Sequence, residues 1–316
     1  MKPTLHQLTI LRMVAEEGSI SAAAQRLHLT PPTLSIQLSQ LSETLGFPLY
    51  EISGRKLRLT GAGRDAVAAA RQIDDELQLL RQRLAERKGI ERGRLSIAAA
   101  STAEYILPAL IGQFQQDHPG IQASLTIVPR AQLLERLEAG RDDAYLMTRP
   151  PDSARIVSES VGLNPLVMIA APAHPWVQRH DLTAEQIQGE RILLREPGSG
   201  TRMWTEDWLK SYGVRLDPAL ELGSNEAIKQ AVMGGHGLAI MSLHAVILEL
   251  EIGRLALVRV RELPVPVNWH LIQRRGRQVT PAAVAFRQHL GHCLPGIDAR
   301  LQTLLREHNQ TLPVAT

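Results

Sequence analysis

Four stretches place hydroxyls, glycines or arginines where an apolar run gives way to a helix-forming one. In AASTAEYILP, Ser101 and Thr102 sit at such a turn. In LREPGSGTRMW, Gly198, Ser199, Gly200 and Thr201 repeat it between Arg195 and Arg202. LGSNEAIKQ puts Ser224 and Asn225 at a third turn, and LMTRPP ends a strand on Thr148 and Arg149. The first turn of a helix leaves backbone N–H groups unpaired, so hydroxyls and guanidinium groups there suit a carboxylate or phosphate. Each turn alone reads equally as an ordinary helix cap. Spread over two candidate lobes, the four together predict a cleft for a small anion.

Other chemistry is thinner. The loop before Thr201 lacks the Gly-Lys-Ser/Thr ending of a Walker A loop. His289, His292 and Cys293 have helical spacing that suits zinc, but no fourth ligand is in view, so HLGHC reads as a structural helix. No Gly-x-Ser-x-Gly elbow, His-Glu-x-x-His motif or catalytic Cys/His pair occurs. The expectation is a binding protein without enzymatic activity, metal or cofactor. The rival is an enzyme or solute-binding protein built on the two lobes.

A second constellation lies near the start of the chain. Thr30 is a good N-cap, Pro31 and Pro32 suit a first helical turn, and Gly46 suits the end. Leu34, Leu38, Leu41 and Leu45 recur at helical spacing and make one apolar stripe. The other faces carry Thr33, Ser35, Ile36, Ser39 and Gln40, short and uncharged where a solvated helix normally holds Lys and Glu. Such a face suits a helix lying close against something polar. A helix over Leu5–Glu17 and a shorter Ala-rich one, read as capped by Ser21, precede it. PLYEISGRKLRLT follows as a hairpin with Arg55, Lys56 and Arg58 at or just past its tip. Three short helices and a basic hairpin predict a winged helix-turn-helix whose third helix enters the DNA major groove. A small helical subdomain without a ligand is the alternative.

The 316-residue chain carries a net charge of only +3, so any nucleic-acid contact must be local. Its single cysteine, Cys293, precludes an intramolecular disulfide and fits a reducing cytosol. No export-signal pattern or long apolar run appears, which predicts a soluble cytoplasmic protein with no membrane partner. From Thr60 a long helix carries Ala66, Ala70, Ile73, Leu77, Leu80 and Leu84 in alternating steps of four and three. That seam predicts dimerisation, or packing along a larger domain. KGIERGR (88–94) reads as a hinge. Beyond it, alternating strands and helices predict an α/β domain with a mainly parallel sheet, ending in a helix over Pro281–Cys293. GLNP and ELPVPV mark where the chain would enter and leave a second lobe. The expected domains are 1–60, 61–89 and 90–316, with lobe I about 93–163 and 267–305 and lobe II about 164–266.

GSISAAAQRLHLTPPTLSIQLSQLSETLGFPLYE, GRKLRLTGAG and ERGRLSIAAAST make the whole chain resemble the LysR-type transcriptional regulators. LMTRPP, LLREPGSGTR, LGSNEAIKQAVMGGHGLAIMSLH and WHLIQRRGRQVTPAA are similar to the subgroup that controls RuBisCO and other carbon-fixation genes. The resemblance implies an α+β multi-domain protein: a winged helix-turn-helix, a long linker helix and a two-lobed α/β domain like a periplasmic binding protein. It implies a homodimer, usually paired into a tetramer, on an imperfect palindromic operator, acting with RNA polymerase. It also implies an activator whose inducer is a phosphorylated or carboxylated metabolite; an aromatic or dicarboxylic acid would indicate a different operon. Carried over by position, Ser21, Pro31, Pro32, Thr33, Ser35, Ile36, Gln40, Arg55, Lys56 and Arg58 would contact DNA. Ser101, Thr102, Arg149, Gly198, Ser199, Gly200, Thr201, Arg202 and Asn225 would hold the effector. Pro31 stands where the family usually has Gln, and Ile36 where many members have Arg or Lys. Val128, Pro129 and Arg130 fill a turn that commonly holds a Gly-Asn pair.

Overall fold

The structure, a computed structural model, describes residues 2–53, 56–86, 93–215 and 220–312 of the chain. The chain divides into two units, Met1–Gly89 and Ile90–Thr316.

In the first unit, α1 (Leu5–Glu17) starts at a capping box between Thr4 and Gln7 and stops at Gly18, whose φ of 63° is left-handed. α2 (Ile20–Arg26) and α3 (Pro31–Leu45) follow, then the antiparallel strands β1 (Tyr50–Ser53) and β2 (Lys56–Leu59), in register from Tyr50 opposite Leu59. α4 (Gly61–Glu86) completes the unit. Ile10, Leu11, Val14, Ala23, Leu34, Leu38, Leu41, Leu49 and Val67 form one core, so three helices, the strand entry and the root of α4 bury a common face. Thr60 starts α4 by accepting from the Gly63 amide while its hydroxyl donates to Pro48 O. A Cβ on Gly63 would stand 1.8 Å from Leu49 O, so only glycine allows this approach.

The second unit runs β3 (Gly93–Ala100), α5 (Leu107–Asp117), β4 (Ile121–Val128), α6 (Arg130–Glu138), β5 (Ala144–Met147) and β6 (Ile156–Leu163). It continues through β7 (Leu166–Ala170), β8 (Ile192–Arg195), α7 (Gly200–Ser211), β9 (Leu220–Leu222), α8 (Asn225–Met233) and β10 (Leu238–Ser242). α9 (Ile247–Glu251), β11 (Ala256–Val258), β12 (Asn268–Arg274) and α10 (Pro281–Glu307) close it. Two five-stranded sheets result, ordered β4-β3-β5-β12-β6 and β11-β7-β10-β8-β9. Each is the centre of a lobe. The chain passes between them just after Leu163 and again before Asn268, and the two crossings bond to each other through Asn164 N to Val267 O at 2.7 Å and Leu166 N to Val265 O at 3.1 Å.

Three sequence expectations change. The sheets are mixed rather than mainly parallel: β3 pairs parallel with β4 and β5, and β8 with β9 and β10, but β12 and β7 pair antiparallel with their neighbours. A strand reached through the crossing re-enters from the opposite end, so β12 runs against β5. β6 is an unforeseen strand, because IVSESVGL, with no fully buried residue, lies at a sheet edge and lacks an apolar run. The last helix extends to Glu307 through Pro295. Gly291 and Pro295 are exposed, so the carbonyl that loses its amide partner faces water, and Gly291 has no side chain to crowd the ring. Beyond the proline, Leu301 and Leu305 pack into the core around Val167 and Ile169, while Phe286, Leu290 and Leu294 pack under the first sheet. α10 therefore touches both lobes.

Candidate effector cleft and DNA-reading face

α3 begins where Thr30 accepts from the Thr33 amide and ends at Gly46 with φ of 77°. Burying Leu34, Leu38 and Leu41 turns the opposite face outward. Pro31, Pro32, Thr33, Ile36 and Gln40 are exposed there, with Ser35 half-buried. Ile36 is 55 % exposed, so its side chain has no role in the core. Ser21 is exposed in the first turn of α2, but Ser19 is the cap, accepting from the Ala22 amide. Gly18 already ends α1, and the earlier hydroxyl meets the first free amide. Arg58 is exposed on β2. Arg55 lies outside the described residues, as do residues 88–92 of the expected hinge, and Lys56 is described only as the start of β2.

On α4, Ala70 is buried, whereas Ile73, Leu77 and Leu80 are 38 %, 36 % and 52 % exposed. The seam thus leaves the core after the third turn and continues as an uncovered apolar stripe in this single chain. The side chain of Leu84 lies outside the described residues.

In the second unit, a cavity of about 360 Å³, its open mouth included, lies between the lobes. Ser101 and Thr102 reach it from the 3-10 turn after β3, and Thr148 and Arg149 from the end of β5. Ser199, Gly200 and Thr201 reach it from the start of α7. Ser199 occupies the N-cap without a side-chain cap bond, so the first amides of α7 keep their donors free for something other than their own cap. Ala100, Glu196, Arg130, Met147 and Trp269 complete the wall.

The polar groups around the cavity are largely tied across the lobes. Arg195, 3 % exposed, donates to both carboxylate oxygens of Glu196 at 2.8 and 2.9 Å, to Asn225 Oδ1, and to Ser101 Oγ in the other lobe at 3.2 Å. Arg149 of the first lobe pairs with Asp207 of α7 and lies over the Trp204 ring, and Trp204 Nε1 donates to Thr148 O at 3.3 Å. Tyr105 donates to Glu226 across the same boundary at 2.8 Å. Burial first, and then this carboxylate, push the Tyr105 phenol up, so it stays a donor. Lys229 bonds Glu226 and Glu249 and sits 5.2 Å above the Tyr105 ring. A Cβ on Gly200 would stand 3.1 Å from Thr148 Oγ1, which fixes how closely α7 approaches the other lobe.

Six of the nine effector candidates therefore line one cavity: Ser101, Thr102, Arg149, Ser199, Gly200 and Thr201. Three do not. Gly198 is exposed in the turn before α7 with φ of 84°. Arg202 is turned to Glu206 and Glu221, at 2.6 and 2.7 Å, because those acids lie one turn along and on the adjacent strand. Asn225 is buried behind Arg195 and holds it in place. Sequence reasoning passed over Glu196, Met147 and Trp269, and noted Arg130 only as a departure. Glu196 follows β8, Met147 ends β5, Trp269 lies near the start of β12 and Arg130 starts α6, and none is a hydroxyl or glycine at a strand-to-helix turn. In the last helix, His289 bonds Leu110 O at 3.0 Å and packs against Phe114 and Phe286, while Cys293 Sγ lies 3.6 Å from His289. Among the described residues no helix is long and apolar enough to cross a membrane.

Residues 5–64 match the model of the bacterial regulatory helix-turn-helix protein, lysR family, and residues 88–294 match the LysR substrate binding domain. The RuBisCO operon transcriptional regulator of Acidithiobacillus ferrooxidans is 41 % identical over 287 residues, 91 % of this chain and 93 % of that one. The transcriptional activator CmpR of Synechocystis sp. is 39 % identical, covering 91 % and 94 %. Among solved structures, the Synechocystis CcmR regulatory domain in complex with 2-PG is 33 % identical, with a TM-score of 0.62, covering 64 % of this chain and 98 % of that one. The head, the long helix and the two-lobed unit are thus shared in sequence and in order, and the chain belongs to the LysR family of DNA-binding transcriptional regulators, close to the regulators of RuBisCO operons.

Proposed function

We propose that this regulator activates carbon-fixation genes in response to a small phosphorylated anion bound between its lobes. The observation that carries the reading is the cavity between the uncapped start of α7 and the Ser101–Thr102 turn, with Arg149 beside it. The bound anion changes the relative pose of the lobes, and that change is passed to how paired heads hold and bend the operator. In the relatives' names this chemistry appears as RuBisCO operon regulation and as 2-PG binding.

On DNA, Thr33, Ser35 and Gln40 read base edges, Pro31, Pro32 and Ile36 lie against thymine methyls, and Arg55, Lys56 and Arg58 hold phosphates. The protein acts in the cytoplasm, in partnership with RNA polymerase. The stripe of Ile73, Leu77 and Leu80 pairs with its copy to form a dimer, and dimers pair further into a tetramer. Sedimentation of Leu77→Asp/Leu80→Asp as a monomer is the expected result; an unchanged oligomer would reject this interface.

Thermal stabilisation of the full chain by a panel of anions tests the effector reading. The panel comprises sugar bisphosphates, phosphoglycolate, phosphoenolpyruvate, NADPH, 2-oxoglutarate and aromatic carboxylates. A shift with a carbon-fixation phosphate is expected. A shift only with an aromatic or dicarboxylic acid would keep the family and discard the carbon-fixation role, and no shift would discard the effector.

A further inference from the structure

The first lobe has two poles. Met147 and Thr148, where β5 ends, face the cleft. The opposite end of the same sheet holds the start of β5, the end of β12 and the start of β6, because β12 runs antiparallel to both and Arg274 stands opposite Ile156. Three turns meet there. Arg275 N donates to Arg155 O at 2.7 Å, and Arg277 Nη1 donates to the carbonyls of Gly140 and Asp142. Gly140, with φ of 60°, lies so close to Arg274 that a Cβ would stand 2.6 Å from its Nη1.

These turns bring Arg141, Arg155, Arg274 and Arg275 to one end of the lobe, the first two and Arg275 exposed and Arg274 half-buried. None of the four side chains forms an ion pair or hydrogen bond among the described residues. The nearest acids are engaged beneath them. Asp142 is 3 % exposed and bonds Arg136 at 2.7 Å. Asp143 accepts from Ser96 N and Oγ, both at 2.8 Å, and pairs with Arg277 at 3.3 Å. Glu138 and Asp152 are exposed on the flanking segments and pair with none of the four. Backbone bonds therefore hold like charges side by side, and their repulsion is relieved by a row of anions laid across them. Guanidinium groups match phosphate in geometry as well as in charge. The chain coming from the DNA-reading unit enters the lobe at this same pole, at Gly93, where β3 begins beside β4. An arginine cluster tethered to a unit that holds a duplex meets the neighbouring phosphates at high effective concentration.

We propose that this pole is a second, sequence-independent DNA contact, which takes the phosphate backbone of the operator beyond the base pairs read by the helix-turn-helix. It lies at the end of the lobe away from the cleft and does not depend on the effector reading. Its contribution is electrostatic: it strengthens binding and steepens the salt dependence without adding base preference.

Gel shifts of the full chain over a range of salt concentrations test it on two duplexes. One ends at the base pairs protected by the heads, and the other continues on both sides. Wild-type protein is expected to bind the longer duplex more tightly and with the steeper salt slope. In Arg141→Gln/Arg155→Gln/Arg275→Gln, affinity for the longer duplex should fall by about tenfold or more and its salt slope by about 2 to 3, with the shorter duplex bound as before. The same three positions changed to Lys keep the charge and should retain most of the preference for length. Equal binding of the two duplexes by wild type would overturn the proposal. So would a Gln variant that weakens both alike, which would mark a loss of folding or of head function. A Gln variant that binds both as wild type does but no longer activates transcription with purified polymerase would also overturn it, and would assign the arginines to an acidic protein surface instead.

Discussion

The outward face of α3 and the wall of the interlobe cleft, the two proposed binding surfaces, are set in place by opposite means. On α3 the candidate residues come from one ten-residue run, are exposed apart from the half-buried Ser35, and carry no charge. Their geometry is set by the helix itself, through the cap, the two prolines and the buried leucine stripe. At the cleft the residues come from the ends of separate strands and helices. Some are almost completely buried, and charged groups hold one another in place across the lobes. A reading face must be replaceable residue by residue without disturbing its scaffold, whereas a switch must couple its scaffold to its ligand. In the proposed effector cleft, the groups offered to a ligand are therefore also groups that hold the lobes together.

That contrast breaks most readily at Arg195. Removing its guanidinium in Arg195→Ala leaves the buried Asn225 Oδ1 without its donor, unpairs the partly exposed Glu196 and cuts the tie to Ser101. The cost should be about 3 kcal/mol in stability, together with loss of any ligand response. Chemical denaturation of the full chain measures the first effect and calorimetry the second. A variant as stable as wild type would show that the network is dispensable. On α3 the opposite split is expected. Thr33→Ala/Ser35→Ala should weaken operator binding by about 1–3 kcal/mol while stability changes by no more than about 1 kcal/mol. Gel shifts and melting curves on the same preparations decide it, and an equal loss in both would place those side chains in the scaffold.

The smallest effect belongs to the crossing between the lobes. His244 is buried and bonds Leu163 O at 2.9 Å, and burial lowers its pKa below the ordinary 6.5. The unfolded chain therefore takes up a proton first. The stability this neutral ring contributes is complete above the unfolded pKa and is lost as pH falls through the folded one. Melting temperatures between about pH 7 and pH 5 should fall more in wild type than in His244→Gln. Parallel slopes would remove His244 from the pH response.

How much could be read from the sequence follows the same division. α3 was legible because the capping threonine, paired prolines, leucine spacing and terminal glycine are all local and agree. The crossing points were legible too, since prolines and polar residues interrupt apolar strands at GLNP and ELPVPV. β6 was not, because an edge strand needs no apolar run. Nor was the length of α10, where tertiary burial of Leu301 and Leu305 outweighs one proline facing water. Hydroxyls at strand-to-helix turns gave away half of the cleft. Arg130, Glu196 and Trp269 carry no such mark. Their place on the wall depends on the sheet order and on the strand that returns antiparallel from the second lobe. Asn225 and Arg202 show the converse: residue types suited to an anion that the fold spends on other partners.

We propose that an anion in the cleft governs how the heads hold DNA. The most direct measurement is a footprint of the full chain on its operator, with and without phosphoglycolate, for wild type and for Ser101→Ala/Thr201→Ala. Identical ligand-free footprints are predicted for both proteins, with a ligand-dependent change in extent or bend only in the wild type. A double variant that still responds as wild type does would contradict the account.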